Sequence, residues 1–271
     1  MAVPPLSGSE ESTERATGRN DGSEFLRVRF APSPGDEAEG NGSTESISTP
    51  WGPEAGMKVG ILGSGDVAQS LGKGFAKHGH DVMIGSRDPR SAKLEKWKEE
   101  VGAKASTGSS ADAAKFGEIV VLATLGAGTA AALDAAGPKN LEGKVVVDVS
   151  NPLDFSKGMP PGLFVGTTDS LAEQTQRKLP SAKVVKCFNT VSHVQMVDPR
   201  AKGGKPKMLV AGDDAAAKKK VDEFLKGLGW GGTIDCGGLD GARWLEALVP
   251  LWVRVAGELK SWDVIFQPVL P

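Results

Sequence analysis

A glycine corner between two apolar runs constrains this chain more than any other feature. Residues 57–62 read MKVGIL and lead straight into Gly63-Ser64-Gly65-Asp66-Val67-Ala68. An amphipathic stretch continues to Lys77 and stops at Gly79, and a second apolar run, 82–84, ends in Gly85-Ser86-Arg87. Strand, glycine turn, helix and strand fit in about 30 residues, the setting in which a G-x-G-x-x-G/A corner meets a dinucleotide. Gly63 permits the tight turn, Gly65 lets the backbone approach a pyrophosphate, and Ala68 is small enough for helix to pack on strand. The first turn of the helix offers free N–H groups and a partial positive charge to the phosphates.

The tip of the second run decides between dinucleotides. NAD-binding versions place Asp or Glu there to accept from the ribose 2′-hydroxyl. Here the chain reads Ser86-Arg87-Asp88-Pro89-Arg90, with Lys93 a turn further on. Ser86 can donate to a phosphate oxygen, and the Arg87 guanidinium can grip one bidentately or lie over the adenine. A charge-assisted hydrogen bond contributes about 1.5–3 kcal/mol, so NADP is favoured by roughly 10- to 150-fold. Asp88 is expected to cap a helix starting near Pro89.

The alternation continues. Run 118–123 (EIVVLA) leads to Thr124, run 144–149 (KVVVDV) to Ser150-Asn151-Pro152, and run 183–188 (KVVKCF) to Asn189-Thr190. Near-continuous Val/Ile runs separated by helical segments imply a parallel sheet buried on both faces, with ligands at the carboxyl ends of its strands. Ala123, Thr124, Asn151, Pro152 and Asn189 are therefore candidates to line a nicotinamide pocket, although ordinary loop chemistry would account for the same residue types. Run 207–212 (KMLVAG) is a further strand, Asp213 and Asp214 cap a helix reaching Lys226, and 233–236 is another short strand. Segment 239–262 is expected to be one long apolar helix. Its polar residues Arg243, Glu246, Arg254 and Glu258, with Pro250, form one narrow stripe, and Trp244, Leu245, Leu248, Leu251, Trp252, Val255 and Leu259 cover the rest. Such a helix suits a core, a homodimer interface, or stacking of a ring on Trp244 or Trp252, and Pro250 should kink it. The expected fold class is α/β, a Rossmann-type doubly wound, mainly parallel sheet. A binding domain spans 57–190, and a small C-terminal α/β block, 191–271, completes the second-substrate pocket.

Composition removes several chemistries. The 271 residues contain no tyrosine, which excludes the Tyr-x-x-x-Lys proton donor of short-chain dehydrogenases. Three histidines (His78, His80, His193) and two cysteines (Cys187, Cys236) cannot build a four-ligand zinc site from Cys and His, and no metal is expected. Two cysteines in irregular surroundings suit a reducing cytoplasm. Residues 1–56 carry ten acidic against four basic residues and few apolar clusters, so a formal total of −2 leaves a net +4 on 57–271. This acidic extension is expected to be disordered and matches neither a secretory signal nor a transit peptide. No apolar run reaches the roughly 20 residues of a membrane helix, and neither membrane nor nucleic acid is an expected partner. Of the histidines only His193, just past the fifth run, is near the ligand edge, which makes it the candidate for proton transfer. Hydride passed directly between two stacked rings needs no protein acid or base and fits these residues better.

The stretches VGILGSGDVAQSLGKGFAKHGHDVMIGSRDP, VVVDVSNP, VVKCFNTVS, MLVAGDD and ARWLEALVPLWV together resemble the NADP oxidoreductases dependent on coenzyme F-420. They are also similar to the cytosolic reductase domain of the six-transmembrane metalloreductases. The resemblance covers about 57–271 and implies hydride transfer between NADPH and a deazaflavin or flavin. It places Ser64, Asp66 and Val67 at the pyrophosphate turn, Ser86 and Arg87 at the 2′-phosphate, and Thr124, Asn151 and Asn189 beside the nicotinamide. Two other readings stand beside it: an NADPH-dependent reductase of a small imine or carbonyl compound, using His193, and a non-catalytic sensor of NADPH.

Overall fold

The computed structural model describes residues 56–268; the extension expected to be disordered lies, apart from Gly56, outside the described residues. The glycine corner folds as its spacing requires. Strand β1 (Lys58–Leu62) enters helix α1 (Asp66–Lys77), which returns to β2 (Asp81–Gly85). Helix α2 (Ala92–Val101), strand β3 (Ala105–Gly108), helix α3 (Ser110–Phe116), strand β4 (Ile119–Leu122), helix α4 (Thr129–Ala136) and strand β5 (Val145–Asp148) follow. Then come a two-residue hairpin, β6 (Leu153–Asp154) with β7 (Gly162–Leu163), helix α5 (Leu171–Lys178) and strand β8 (Lys183–Lys186). Strand β9 (Met208–Val210), helix α6 (Ala215–Gly227), strand β10 (Thr233–Asp235) and helix α7 (Ala242–Leu259) complete the order.

Six strands form one parallel sheet in the order β3-β2-β1-β4-β5-β8. The order reverses between β1 and β4, which makes their carboxyl ends the switch point of a doubly wound sheet. Strands β4 and β5 are buried along their whole length, as an apolar run covered on both faces must be. Strands β9 and β10 pair in parallel, and an antiparallel bridge from Lys186 to Ala211 joins this block to the end of β8. Asp214 caps α6 as expected, accepting from Ala217 N–H at 2.7 Å.

Two expectations are corrected. Helix α2 starts at Ala92 with Ser91 at its cap, not near Pro89. Asp88 instead folds locally, its N–H on Ser86 Oγ and its Oδ1 near Arg90 N–H. The expected long apolar helix is not found as such. Helix α7 has 18 residues, its inner face buries Leu245, Val249, Trp252, Val253 and Ala256, and Trp244, Leu251 and Leu259 stand in solvent. Glu246, assigned from its spacing to the narrow polar stripe, is only 2% exposed because it answers a buried cation across the fold. No helix among the described residues is long and apolar enough to cross a membrane.

Beyond α7 the chain turns at Lys260, whose φ of 50° is left-handed, and returns along the helix without regular secondary structure. Val264, Phe266 and Leu153 each pack against the cluster of Val249, Trp252 and Val253, while Ile265 packs on the main core. Trp252 donates its indole N–H to Val264 O at 2.8 Å, and Gln195 and Asp263 join at 2.9 Å.

Candidate functional site

Gly63 has φ +121°, and a Cβ there would lie 2.3 Å from the carbonyl oxygen of Ala123. The corner therefore presses β1 against the end of β4, and only glycine fits. Gly65 differs: its φ is −74°, and a Cβ would meet nothing within 4 Å. The opening is over the first turn of α1, which no side chain caps. The first intrahelical bond runs from Gln69 N–H to Gly65 O, so the N–H groups of Asp66, Val67 and Ala68 are available to an anion. Ala68 is fully buried and lets α1 sit down on the sheet. Asp66, an acid at this anion-seeking end, is neutralised by Lys93 at 2.8 Å, and that lysine holds its carboxyl below the usual range.

Ser86 lies beside this turn. Its hydroxyl donates to Ser64 Oγ at 3.2 Å. Arg87 is exposed and makes no ion pair or hydrogen bond with any described residue. The open cradle at Gly65, the free N–H groups and the unengaged guanidinium fit a dinucleotide with a phosphate on its adenosine ribose.

The other candidates continue the line across the strand ends. Thr124 Oγ1 shares a hydrogen bond with Thr129 at 3.0 Å, just past the Ala123 carbonyl that faces Gly63. The next loop closes on the one after it, since a Cβ on Gly126 would lie 2.2 Å from Asn151 O. Asn151 and Asn189 then pair: Asn189 Nδ2 donates to Asn151 Oδ1 at 3.0 Å, and Asn151 Nδ2 donates to Asn189 O at 3.3 Å. Asn189 Nδ2 also donates to Leu245 O at 2.9 Å, which ties the pair to the start of α7. Pro152 O accepts from Phe164 N–H, which brings β7 beside it. Arg87, Ser86, Ser64, Gly63, Ala123, Thr124, Asn151 and Asn189 thus form one continuous track along the carboxyl ends of β2, β1, β4, β5 and β8.

His193 is at the edge of this track but is engaged, with Nδ1 2.8 Å from Ser70 Oγ. His78 pairs with Asp198, and His80 accepts from Met57 N–H while burial lowers its affinity for a proton. Cys187 is fully enclosed, and desolvation pushes its thiol far up, away from the reactive thiolate.

Sequence reasoning missed a buried ionic cluster directly beneath the asparagine pair. Asp148 ends β5, Lys186 ends β8 and Glu246 lies one turn into α7, all at most 2% exposed. Lys186 Nζ donates to Glu246 Oε1 at 2.7 Å and to Ser150 O, and lies 3.6 Å from Asp148 Oδ2. Glu246 also accepts the first N–H groups of α5, Leu171 at 2.9 Å and Ala172 at 3.3 Å. Burial raises the Glu246 carboxyl above its ordinary value, against the pull of Lys186. The usable signal was the lysine itself: KVVKCF is a run too apolar to hold a cation without a partner.

The sheet order and the phosphate-ready corner define an NADP-binding Rossmann protein. The family model described as NADP oxidoreductase, coenzyme F420-dependent, matches residues 58–152. The F420-dependent NADP reductase of Methanocaldococcus jannaschii is 32% identical over 217 residues, covering 76% of this chain and 95% of that protein. A crystal structure from Arthrobacter sp. FB24, provisionally described as an F420-dependent NADP-reductase, is 46% identical with a TM-score of 0.75, covering 79% of this chain and all of that one. The rat metalloreductase STEAP3 is 32% identical over 213 residues, and the match spans 78% of this chain but 39% of that protein. The chain belongs to the coenzyme F420-dependent NADP oxidoreductase family. It is an NADP-dependent oxidoreductase that uses NADP(H).

Proposed function

We propose that the protein transfers hydride between NADP(H) and a flat deazaflavin, coenzyme F420, or a flavin. The observation that carries this reading is the row of strand-end residues from Arg87 to the Asn151–Asn189 pair, where the nearby His193 is held by Ser70 and no unengaged acid or base stands beside the pair among the described residues. When bound, the nicotinamide supplies or takes the hydride. The protein's own residues bind and orient. Arg87 and Ser86 hold the 2′-phosphate, and the free N–H groups at the start of α1 hold the pyrophosphate. Thr124, Asn151, Pro152 and Asn189 fix the plane of the reactive ring, because acceleration here comes from proximity and alignment. Exposed Leu125, Phe155, Phe164, Val194 and Trp244 stand on segments leaving the ends of β4, β5 and β8 or opening α7. Apolar surface of this kind, at the end of a cofactor track, suits a second planar ring and excludes water from the hydride path. In this reading residues 191–271 complete the second-substrate pocket, and the two free cysteines suit a cytosolic setting.

The test mixes NADPH with F420, FMN or FAD, and in parallel with imines and ketones, and follows nicotinamide absorbance. Consumption of NADPH with a ring acceptor and not with imines or ketones supports the reading. Turnover confined to an imine or carbonyl compound overturns it, as does tight NADPH binding with no acceptor reduced, which would mark a sensor.

A further inference from the structure

We propose that Lys186 is a positioning residue: one buried ammonium group sets the asparagine pair at the nicotinamide end of the track. The inference rests on the reading that Asn151 and Asn189 border the nicotinamide.

The geometry is a ladder of two rungs between the same three elements. The upper rung is neutral. Asn189, just beyond β8, reaches Asn151 on the loop after β5 and Leu245 O on α7. The lower rung is ionic. Lys186, the last residue of β8, reaches Ser150 O on the same loop and Glu246 on the same helix. Each lower attachment point is the immediate chain neighbour of an upper one: Ser150 precedes Asn151, and Glu246 follows Leu245. Between Lys186 and Asn189 the backbone passes through Phe188 with φ 63°, a left-handed conformation unusual for a bulky residue. The surroundings must hold it there. Asp148 completes the lower rung by taking the Ser150 N–H at 2.8 Å and the Ser150 hydroxyl at 2.6 Å, so both faces of that residue are held.

A neutral amide pair by itself fixes a loop weakly. A buried cation with a carbonyl and a carboxylate on it fixes direction as well as distance, because any shift leaves a charge without its partner. Glu246 carries the constraint onward by capping α5, so the loop after β5, the start of α5 and the start of α7 move together or not at all. The phosphate end of the track, at Gly65 and Arg87, makes no contact with this cluster.

Calorimetry with two probes separates positioning from general support: NADP, and 2′,5′-ADP, which keeps the phosphorylated adenosine and lacks the nicotinamide. The variants are Lys186→Met and the double Lys186→Met/Glu246→Gln. The double variant removes two of the three buried charges, and the one amide oxygen of Gln can still accept the Leu171 N–H, the shorter of the two α5 contacts, which keeps the test available if the single variant fails to fold. The expected result is 2′,5′-ADP binding within twofold of the parent, and loss by tenfold or more of the advantage NADP holds over 2′,5′-ADP. An unchanged ratio of the two affinities in a folded variant overturns the proposal. So do parallel losses of both probes, or failure of both variants to fold, since Lys186 would then prop the whole domain. If the parent protein itself gains nothing from the nicotinamide half, the placement of Asn151 and Asn189 is wrong, and the proposal falls with it.

Discussion

Replacing Arg87 by Ala tests the NADP assignment with little structural interference. The side chain is exposed and bonded to no other described residue, so its loss leaves no buried group unpaired. Stability should change by less than about 0.5 kcal/mol, as for surface substitutions away from special features. Binding is different. A guanidinium on a phosphate dianion gains roughly 1.5–3 kcal/mol for a charge-assisted contact. Ordering the free side chain costs about 0.5–1.5 kcal/mol, which the second prong of a bidentate grip offsets. Lys93 does not stand in readily, because it is held by Asp66. The net expectation is a rise in the NADPH dissociation constant of about 10- to 150-fold. NADH, lacking the 2′-phosphate, should bind the variant and the parent alike. The assay is calorimetry of both cofactors at one fixed ionic strength, since exposed charges are screened over about 10 Å at 0.1 M salt. Equal losses for NADPH and NADH would refute the 2′-phosphate assignment, and so would no loss for either.

The two glycines of the corner should fail in opposite ways. Gly63→Ala puts a methyl on the Ala123 carbonyl at a positive φ and should cost roughly 3 kcal/mol or more in denaturant unfolding. Gly65→Ala should fold normally, yet weaken NADPH binding by about 1–3 kcal/mol through overpacking against the pyrophosphate. His193→Ala should leave turnover within about threefold, whereas loss of a general acid or base would cost roughly 100- to 10,000-fold. Asp169 is held down to about 2 by its hydrogen bonds with Arg177. A depressed carboxylate stabilises above its unfolded value, so Arg177→Ala should lower stability at pH 7 by no more than about 1 kcal/mol for so exposed a pair. That deficit should shrink as the pH falls from about 4 towards 2, and a constant deficit in pH-dependent unfolding would contradict the pairing.

What the sequence revealed and hid follows the range of the interactions. The corner from β1 to β2 was legible because its constraints are local: a positive φ, a close approach, and a helix start within a few residues. The buried strands β4, β5 and β8 were legible because burial on both faces leaves an apolar run. Strand β3 (ASTG) was not foreseen, since an edge strand of small polar residues looks like a loop, and its identity comes only from pairing with β2. Glu246 was misread for a related reason. Helical spacing placed it with Arg243 and Arg254, while its partners, Lys186 and the start of α5, are 60 or more residues away. Asn151 and Asn189 were singled out as candidates by their place at strand ends, but their mutual hydrogen bonds belong to the fold and not to either segment.

The returning segment after α7 has a practical bearing on how this protein is handled. Residues 263–266 act as a seam: one edge is sewn to the main core by Ile265, the other by Val264 and Phe266 to the Val249, Trp252 and Val253 face of α7, against which Leu153 also packs. Leu153 adjoins Pro152, so a cut or bulky fusion that unpicks the seam would loosen the strand end beside the proposed ring site without touching the glycine corner. On the proposed reading, a preparation clipped there would still be retained on an adenosine-phosphate resin, and purity judged by such a column would conceal protein whose ring site had lost its alignment.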